Sequence, residues 1–405
     1  MSFKLLSISS MYQGSLDSFY QRIAVTNLDY EDHYNLLLND TTEFAGSYTR
    51  NFIKLGVDAR CIVSNDKILQ DKWKLENNID TDSVSDILFK QIKYYQPEIL
   101  WIENLTYLDS DWFSKVRNQI KAVKLIVAYH CAPYTRKYLD KLRNADFIFT
   151  CTPGLLDTMK KEGMKAYMVY HGFDNQLLER LDKKQGQPSV VLTFSGSLIT
   201  GDTFHNARIN LIERLIRENI DIALYMTLEK STRIRAKQAI YYLSLLLKKL
   251  GLGKITGKYS FFEYGSILVK HYSRKLIKMN QAPQYGMNMY NLFSRSKVVL
   301  NIHTGVAGDY AGNMRMFEVT GTGSCLLTDN KKNMKDLFDA GTEVLLYNDT
   351  EDCIQKVKWL LEHDKEREKI AKAGQKKTLD VHTVENRCRT IIDIIKKELN
   401  IRMGE

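Results

Sequence analysis

The residues best suited to chemistry lie in the stretch 298–329, VVLNIHTGVAGDYAGNMRMFEVTGTGSCLLTD. A strand-like run ends at Asn301-Ile302-His303, and a loop of small residues then closes on Ala311-Gly312-Asn313. A short helical stretch follows, carrying Arg315 and Glu318. Residues three apart share one helix face, so the guanidinium and the carboxylate point the same way. Asn313 suits the N-cap position. The combination fits a nucleoside diphosphate. Glycine lets the backbone approach phosphate, and the N–H groups and dipole of a helix start attract the anion. Arg315 offers a rigid fork for phosphate oxygens. Glu318 would repel phosphate, so its natural partners are the two ribose hydroxyls. An Arg–Glu pair alone reads more simply as a surface ion pair on a capped helix. The His303 strand end, the Gly312 loop and the helix-stopping Gly321 and Gly323 favour the binding site.

These groups need a scaffold. The 405 residues suit two domains of about 180–200 residues, each with its own core. The first half alternates helical stretches with near-continuous apolar runs at 4–9, 59–64, 98–103, 124–130, 147–151 and 166–170. Such runs imply a parallel sheet buried on both faces. A second set lies at 190–195, 222–226, 298–302, 324–328 and 344–347. The reading is α/β, two tandem doubly wound Rossmann-like domains with a ligand cleft between their strand ends. The division expected is 1–182 for the first domain, 189–375 for the nucleotide-binding domain, and 376–405 for a C-terminal helical segment. The polar run 181–188 is the expected linker.

The formal charge of +10 is concentrated. Between 230 and 280 stand twelve Lys or Arg against one acid, Glu263. This basic insertion reads as a solvated face, or as a helix for an anionic membrane or a lipid-linked phosphate acceptor. Tyr241, Tyr242 and Tyr259 interleave with its cations, as in single-strand binders. No recognised nucleic-acid motif accompanies them, so a non-enzymatic nucleic-acid-binding protein is the weaker rival and no nucleic-acid partner is expected. No run approaches the roughly 18 apolar residues of a membrane span. The N-terminus reads as a strand rather than a signal peptide. Cys61, Cys131, Cys151, Cys325, Cys353 and Cys388 are scattered, with no C-x-x-C pair and no zinc spacing. The expected compartment is the cytoplasm or the inner face of the membrane, with reduced thiols. Asp80-Thr81-Asp82 and Asp109-Ser110-Asp111 match D-x-D, but each precedes a helical stretch where Asp is a common cap.

The run also resembles the CgeB-like (spore-maturation) glycosyltransferase group, a bacterial GT-B family. The matching residues are Asn301 and His303, Gly312-Asn313, Arg315, Phe317-Glu318, Gly321, Gly323, 326–329, Gly341 with Glu343 and Tyr347, and His382-Thr383 with Arg387. Gly286 to Tyr290 matches the helix before the strand, and Tyr170 to Asp174 the closing strand of the first domain. Phe194-Ser195-Gly196-Ser197, with Arg208, resembles the start of the second domain. The segment 230–280 falls outside the resemblance. The resemblance implies sugar transfer from a nucleotide sugar of unspecified base, with no cofactor and no obligatory metal. It places Gly196, Ser197, Arg208, His303, Gly312, Asn313, Arg315, Phe317 and Glu318 on the donor. A glycan or lipid-linked acceptor would lie on the first domain, where Glu103 and His130 end strands and offer a base. The loop Tyr12-Gln13-Gly14-Ser15 would face that acceptor. Where many retaining members carry a second Glu, this chain has Tyr310, so the motif leaves stereochemistry open. A hydrolysing epimerase or a sugar phosphorylase would share the phosphate site.

Overall fold

Apolar strands without alternation must be covered on both faces, and the chain builds two sheets of this kind. The structure, a computed structural model, describes residues 3–132, 134–182, 189–199, 203–259, 262, 267–303 and 308–403. The first sheet contains β1 (Lys4–Ser9), β2 (Asp58–Val63), β3 (Ile99–Ile102), β4 (Leu125–Tyr129), β5 (Phe147–Thr150) and β6 (Ala166–Met168). The second contains β7 (Val190–Leu198), β8 (Ile222–Leu228), β9 (Asn280–Gln281), β10 (Ser296–Asn301), β11 (Cys325–Asp329) and β12 (Leu345–Tyr347). All the neighbouring pairs are parallel. β9 has two residues and no apolar run, which is why the sequence gives no sign of it.

Strand order places the ligand sites. The first sheet runs β2-β1-β3-β4-β5-β6 and reverses direction between β1 and β3. The second runs β12-β11-β10-β7-β8-β9 and reverses between β7 and β10. Open parallel sheets bind ligands beyond the strand C-termini at such a reversal. The second reversal brings Ser195-Gly196-Ser197 beside Asn301-Ile302-His303. The first brings Ser9 beside Glu103, and the Ser9 hydroxyl donates to the Glu103 carboxylate.

The last helix does not stay with the second domain. Val384–Met403 crosses back and buries Val384, Cys388, Ile391, Ile392, Ile395 and Leu399 against Phe3, Leu5, Trp101 and Phe149 of the first sheet. It therefore completes the first domain's core, whereas the helix before it, Asp364–Val381, packs on the second. Of the expected linker, residues 183–188 lie outside the described residues. The crossings seen lie side by side: Phe173 N–H donates to the His382 carbonyl at 2.8 Å, and Val384 N–H to the Phe173 carbonyl at 2.9 Å. None of the described helices is long and apolar enough to cross a membrane.

Ile391 is fully buried in the first domain's core. Truncating it to Ala should cost about 2–5 kcal/mol in denaturant unfolding. A loss below about 0.5 kcal/mol, the size of a surface change, would remove the last helix from that core.

Candidate active site

The reversal in the second sheet opens into a cavity of about 530 Å³ between the domains. On its second-domain wall lie Ser195, Gly196, Ser197, Arg208, Asn301, Ile302, His303, Gly312, Asn313, Arg315 and Glu318. The eight-residue helix Met314–Gly321 starts there. Asn313 stands at its N-cap in extended backbone, but its side chain does not cap it. It instead donates to the Asn301 carboxamide at 2.7 Å, tying the helix start to the end of β10. The first-turn N–H groups are thus left without that cap, in the arrangement that suits an anion.

Arg315 is held from three sides. Its Nη1 donates to Glu318 Oε2 at 2.7 Å and contacts Met289 Sδ at 2.8 Å. Its guanidinium lies 4.7 Å from the centre of the Phe293 ring. Glu318 is buried and also accepts from the Tyr290 hydroxyl at 3.4 Å. The i, i+3 pair therefore lies in the cleft wall, packed and aimed, instead of standing on the surface. His303 donates its backbone N–H to Asp329 Oδ1 at 2.9 Å and pairs through Nδ1 with the same oxygen at 2.7 Å. Burial would push the Asp329 carboxyl up, but the His303 contacts outweigh it and hold it at about 2. His303 Nε2 is buried with no hydrogen-bond partner among the described residues, on a residue that lines the cavity.

Arg208 lines the cavity too, but its guanidinium is engaged. Nε donates to the Ile302 carbonyl at 3.0 Å and Nη1 to the Ser197 carbonyl at 3.3 Å. It clamps the ends of β7 and β10 together behind the site. A Cβ on Gly312 would lie 2.4 Å from Thr152 Cγ2 and 2.8 Å from the Cys151 carbonyl oxygen. This glycine lets the loop touch the first domain. Tyr310 makes a similar contact over Gly154, so the position of the second Glu in retaining members is occupied by a domain contact.

Three expected residues lie elsewhere. Phe317 is fully buried, 6.0 Å from Phe338 and 5.2 Å from His382 between ring centres. It follows Arg315 by two positions and so lies on the helix's core face, away from the cavity. His130 is buried against Tyr138 and Tyr134, and burial pulls its pKa down. The next residue, Cys131, is the one that lines the cavity. Glu103 bonds Ser9 and is not among the cavity-lining residues.

The first-domain wall is instead built by Tyr12, Ser15, Thr42, Glu43, Cys131, Cys151, Thr152 and His171. Glu43 precedes the Phe44–Lys54 helix, and the Tyr12 N–H donates to its Oε2 at 2.9 Å. Its Oε1 has no hydrogen-bond partner among the described residues. Burial pushes the Glu43 carboxyl up to about 7, and the Glu318 charge adds to this against the nearby Ser15 hydroxyl and the Tyr12 N–H. In sequence, Thr41-Thr42-Glu43 reads as an ordinary helix start, so nothing marks it. Cys131, Cys151 and His171 follow three neighbouring strands, and their ligand atoms lie within 4.8 Å of one another. This soft donor set suits zinc or copper rather than the magnesium or manganese that bridges a diphosphate. Asp109 caps its helix by accepting from the Trp112 N–H at 2.9 Å, and Asp82 pairs with Lys74 at 2.7 Å. One Asp of each D-x-D match thus has a partner within the chain.

Residues 245–393 match a family model described as glycosyl transferase-like. The match begins inside the basic segment. No curated protein matches the sequence. A crystal structure of a glycosyltransferase from Rickettsia africae superposes with a TM-score of 0.57 at 9% identity, over 99% of each chain. Anabaena HepE in complex with UDP-glucose gives 0.56 at 10% identity, over 98% of this chain and 100% of that one. Sucrose-phosphate synthase from Thermosynechococcus elongatus gives 0.54 at 8%, over 98% and 100%. This is the GT-B fold. At these identities the likeness is one of architecture, and the family match adds a glycosyltransferase-like domain in the half that carries Arg315 and Glu318.

Two first-domain carboxyls give a pH dependence. Burial raises Glu43 and Glu103 from 4.5 to about 7. The folded protein keeps these protons where the unfolded chain has lost them. Their contribution to stability is full below 4.5 and is lost as pH rises through about 7. Glu43→Gln and Glu103→Gln should each raise the melting temperature over wild type at about pH 8 and leave it level at about pH 4. An equal shift at both pH values would show that neither carboxyl is raised.

Proposed function

We propose that the chain is a CgeB-like glycosyltransferase that moves a sugar from a nucleoside-diphosphate sugar to a glycan, lipid-linked or protein acceptor in bacterial surface polysaccharide synthesis. One observation carries the reading. Arg315 and Glu318 enter the interdomain cavity from the same helix start, within the glycosyl transferase-like segment. In this reading Glu318 holds the ribose hydroxyls, while Arg315 and the first-turn N–H groups face the diphosphate. Because Arg315 and Glu318 bond each other without ligand, donor binding exchanges that contact for one to the nucleotide. The acceptor enters from the wall that carries Tyr12, Glu43 and His171.

The reaction forms a bond between the acceptor oxygen and the anomeric carbon, and breaks the bond from that carbon to the diphosphate. Negative charge builds on the leaving oxygens. Fixed donors meet it without reorganising, and no metal is required of them. Glu43 takes the acceptor proton. It lies on the acceptor wall, its Oε1 is unpartnered among the described residues, and its pKa of about 7 is matched to that task. It replaces Glu103 and His130, which lie behind the wall. The donor base is best sought first among uridine nucleotides, since HepE, with the same fold, was crystallised with UDP-glucose.

Arg315→Ala should lower turnover by about 10²–10³. Glu43→Gln should abolish the rise of kcat through pH 7, the value to which Glu43 is raised, while nucleotide binding stays unchanged. Steady-state transfer in EDTA should match that in its absence. The first measurement is a thermal-shift panel of UDP, GDP, dTDP, CDP and CMP. The right nucleotide at a hundred times its Kd adds about 2.7 kcal/mol. No shift with any of the five, or near-wild-type turnover for Arg315→Ala, would end the reading.

A further inference from the structure

A surface helix normally turns its apolar residues inward and its charges outward. The nineteen-residue helix Ser231–Lys249 departs from this pattern. Its buried residues are Ile234 and Ser244, which mark the side packed on the domain. On the opposite side, Ala236, Ala239, Leu243, Leu246 and the C-cap residue Leu250 recur at intervals of three and four. All five are exposed, Leu246 at 53% and Leu250 at 63%. Arg233, Arg235, Lys248 and Lys249 are exposed on the same helix, and Tyr242 stands 59% exposed among them. The following helix, Gly253–Lys258, packs against the first and adds exposed Lys254 and Ile255. No Asp or Glu occurs from 230 to 262.

We propose that this helical hairpin docks the protein on an anionic lipid bilayer, with the leucine stripe in the headgroup layer and the cations on lipid phosphates. A helix lying in the interface needs an apolar face bordered by Lys and Arg, with an aromatic at the boundary, and this one has each. The spacing would also serve a coiled-coil seam between two copies. The charged neighbours of the stripe are all cations, however, so two copies meeting there would set like charges against each other. Tyr242 and Tyr259 offer exposed rings to bases, but the five-residue apolar stripe between the cations gives nucleobases nothing to stack on, which favours lipid over single-stranded RNA.

The hairpin is rooted at the cleft. Tyr225 and Thr227 of β8 line the cavity, and the helix begins four residues after Thr227. The chain returns through β9, and Pro283, Gln284 and Tyr285 line the cavity again. Docking therefore brings the cavity rim to the bilayer surface. Resting on the transferase reading, this selects a lipid-linked acceptor from among the possible ones, whereas the docking itself is independent of that reading.

The test is sedimentation of the full chain with vesicles. It should pellet with equal parts phosphatidylcholine and phosphatidylglycerol at low salt, stay in solution with phosphatidylcholine alone, and be released by salt. Leu243→Asp with Leu246→Asp should abolish pelleting and leave the melting temperature unchanged, because both side chains already face solvent. Lys248→Ala with Lys249→Ala should weaken binding roughly 25-fold, about 5-fold per cation. Any of four results would overturn the proposal: no pelleting with anionic vesicles at low salt, pelleting unaltered by the leucine changes, a solution dimer lost on those changes, or a preference for single-stranded RNA. Turnover with a soluble acceptor is read in parallel. The leucine variant should retain it, so failure of docking and failure of the transferase reading are told apart.

Discussion

The site depends on how the two sheets are held with their strand ends facing. Two chain crossings do this, and they are bonded to each other. Phe173 exchanges backbone hydrogen bonds with His382 and Val384, and a Cβ on Gly172 would lie 2.8 Å from the Thr383 backbone. Arg387 reaches back to the His171 carbonyl at 3.1 Å, and Arg50 and Asn51 hold Asp174 from the first domain. Rotation of one domain on the other must work against this knot. His171 in the cavity wall is fixed by the same residues, so the first-domain wall is positioned by the hinge itself.

On that frame the cleft separates two electrostatic tasks. The second-domain wall presents a guanidinium and a helix start, with carboxylates placed so that each already has a partner: Glu318 on Arg315 and Asp329 on His303. The first-domain wall presents the Glu43 carboxyl, which has no cation paired to it among the described residues. Glu318 raises the pKa of Glu43 across the cleft, and Glu43 in turn raises that of Glu103 behind the wall. The surroundings thus favour an anion at one wall only. A carboxyl raised to about 7 stands on the other.

Much of this was legible in the sequence because it is periodic or local. The strands announce themselves as apolar runs, and the Arg315–Glu318 pair follows from spacing and a glycine loop. What could not be read arises from tertiary placement. Phe317 and Arg315 are neighbours in every local motif, yet the roughly half turn of helix between them sends the first into the core and the second into the cleft. His130 looked like the residue at the strand end, and a single-residue shift gave that place to Cys131. Glu43 precedes a helix as many acids do, and only the fold sets it opposite Glu318. Cys131, Cys151 and His171 lie twenty residues apart in the chain and meet only because β4, β5 and β6 are adjacent. The last helix has ordinary amphipathic spacing, which does not say which of two cores it will join.

The basic segment shows the opposite limit. Its charge was plain in the sequence, but charge alone does not separate a solvated face from a docking one. The distinguishing fact is which side of the Ser231–Lys249 helix the core occupies. Ile234 and Ser244 occupy the buried face, and this forces Leu243, Leu246 and Leu250 outward. An isolated exposed leucine is unremarkable on a protein surface. A continuous row of them bordered by cations, growing from the rim of the cleft, is a feature that solvent exposure alone would disfavour. Both ends of the hairpin join strands of the second sheet. A force or a surface that orients the hairpin therefore orients that sheet, and with it the wall that carries Arg315.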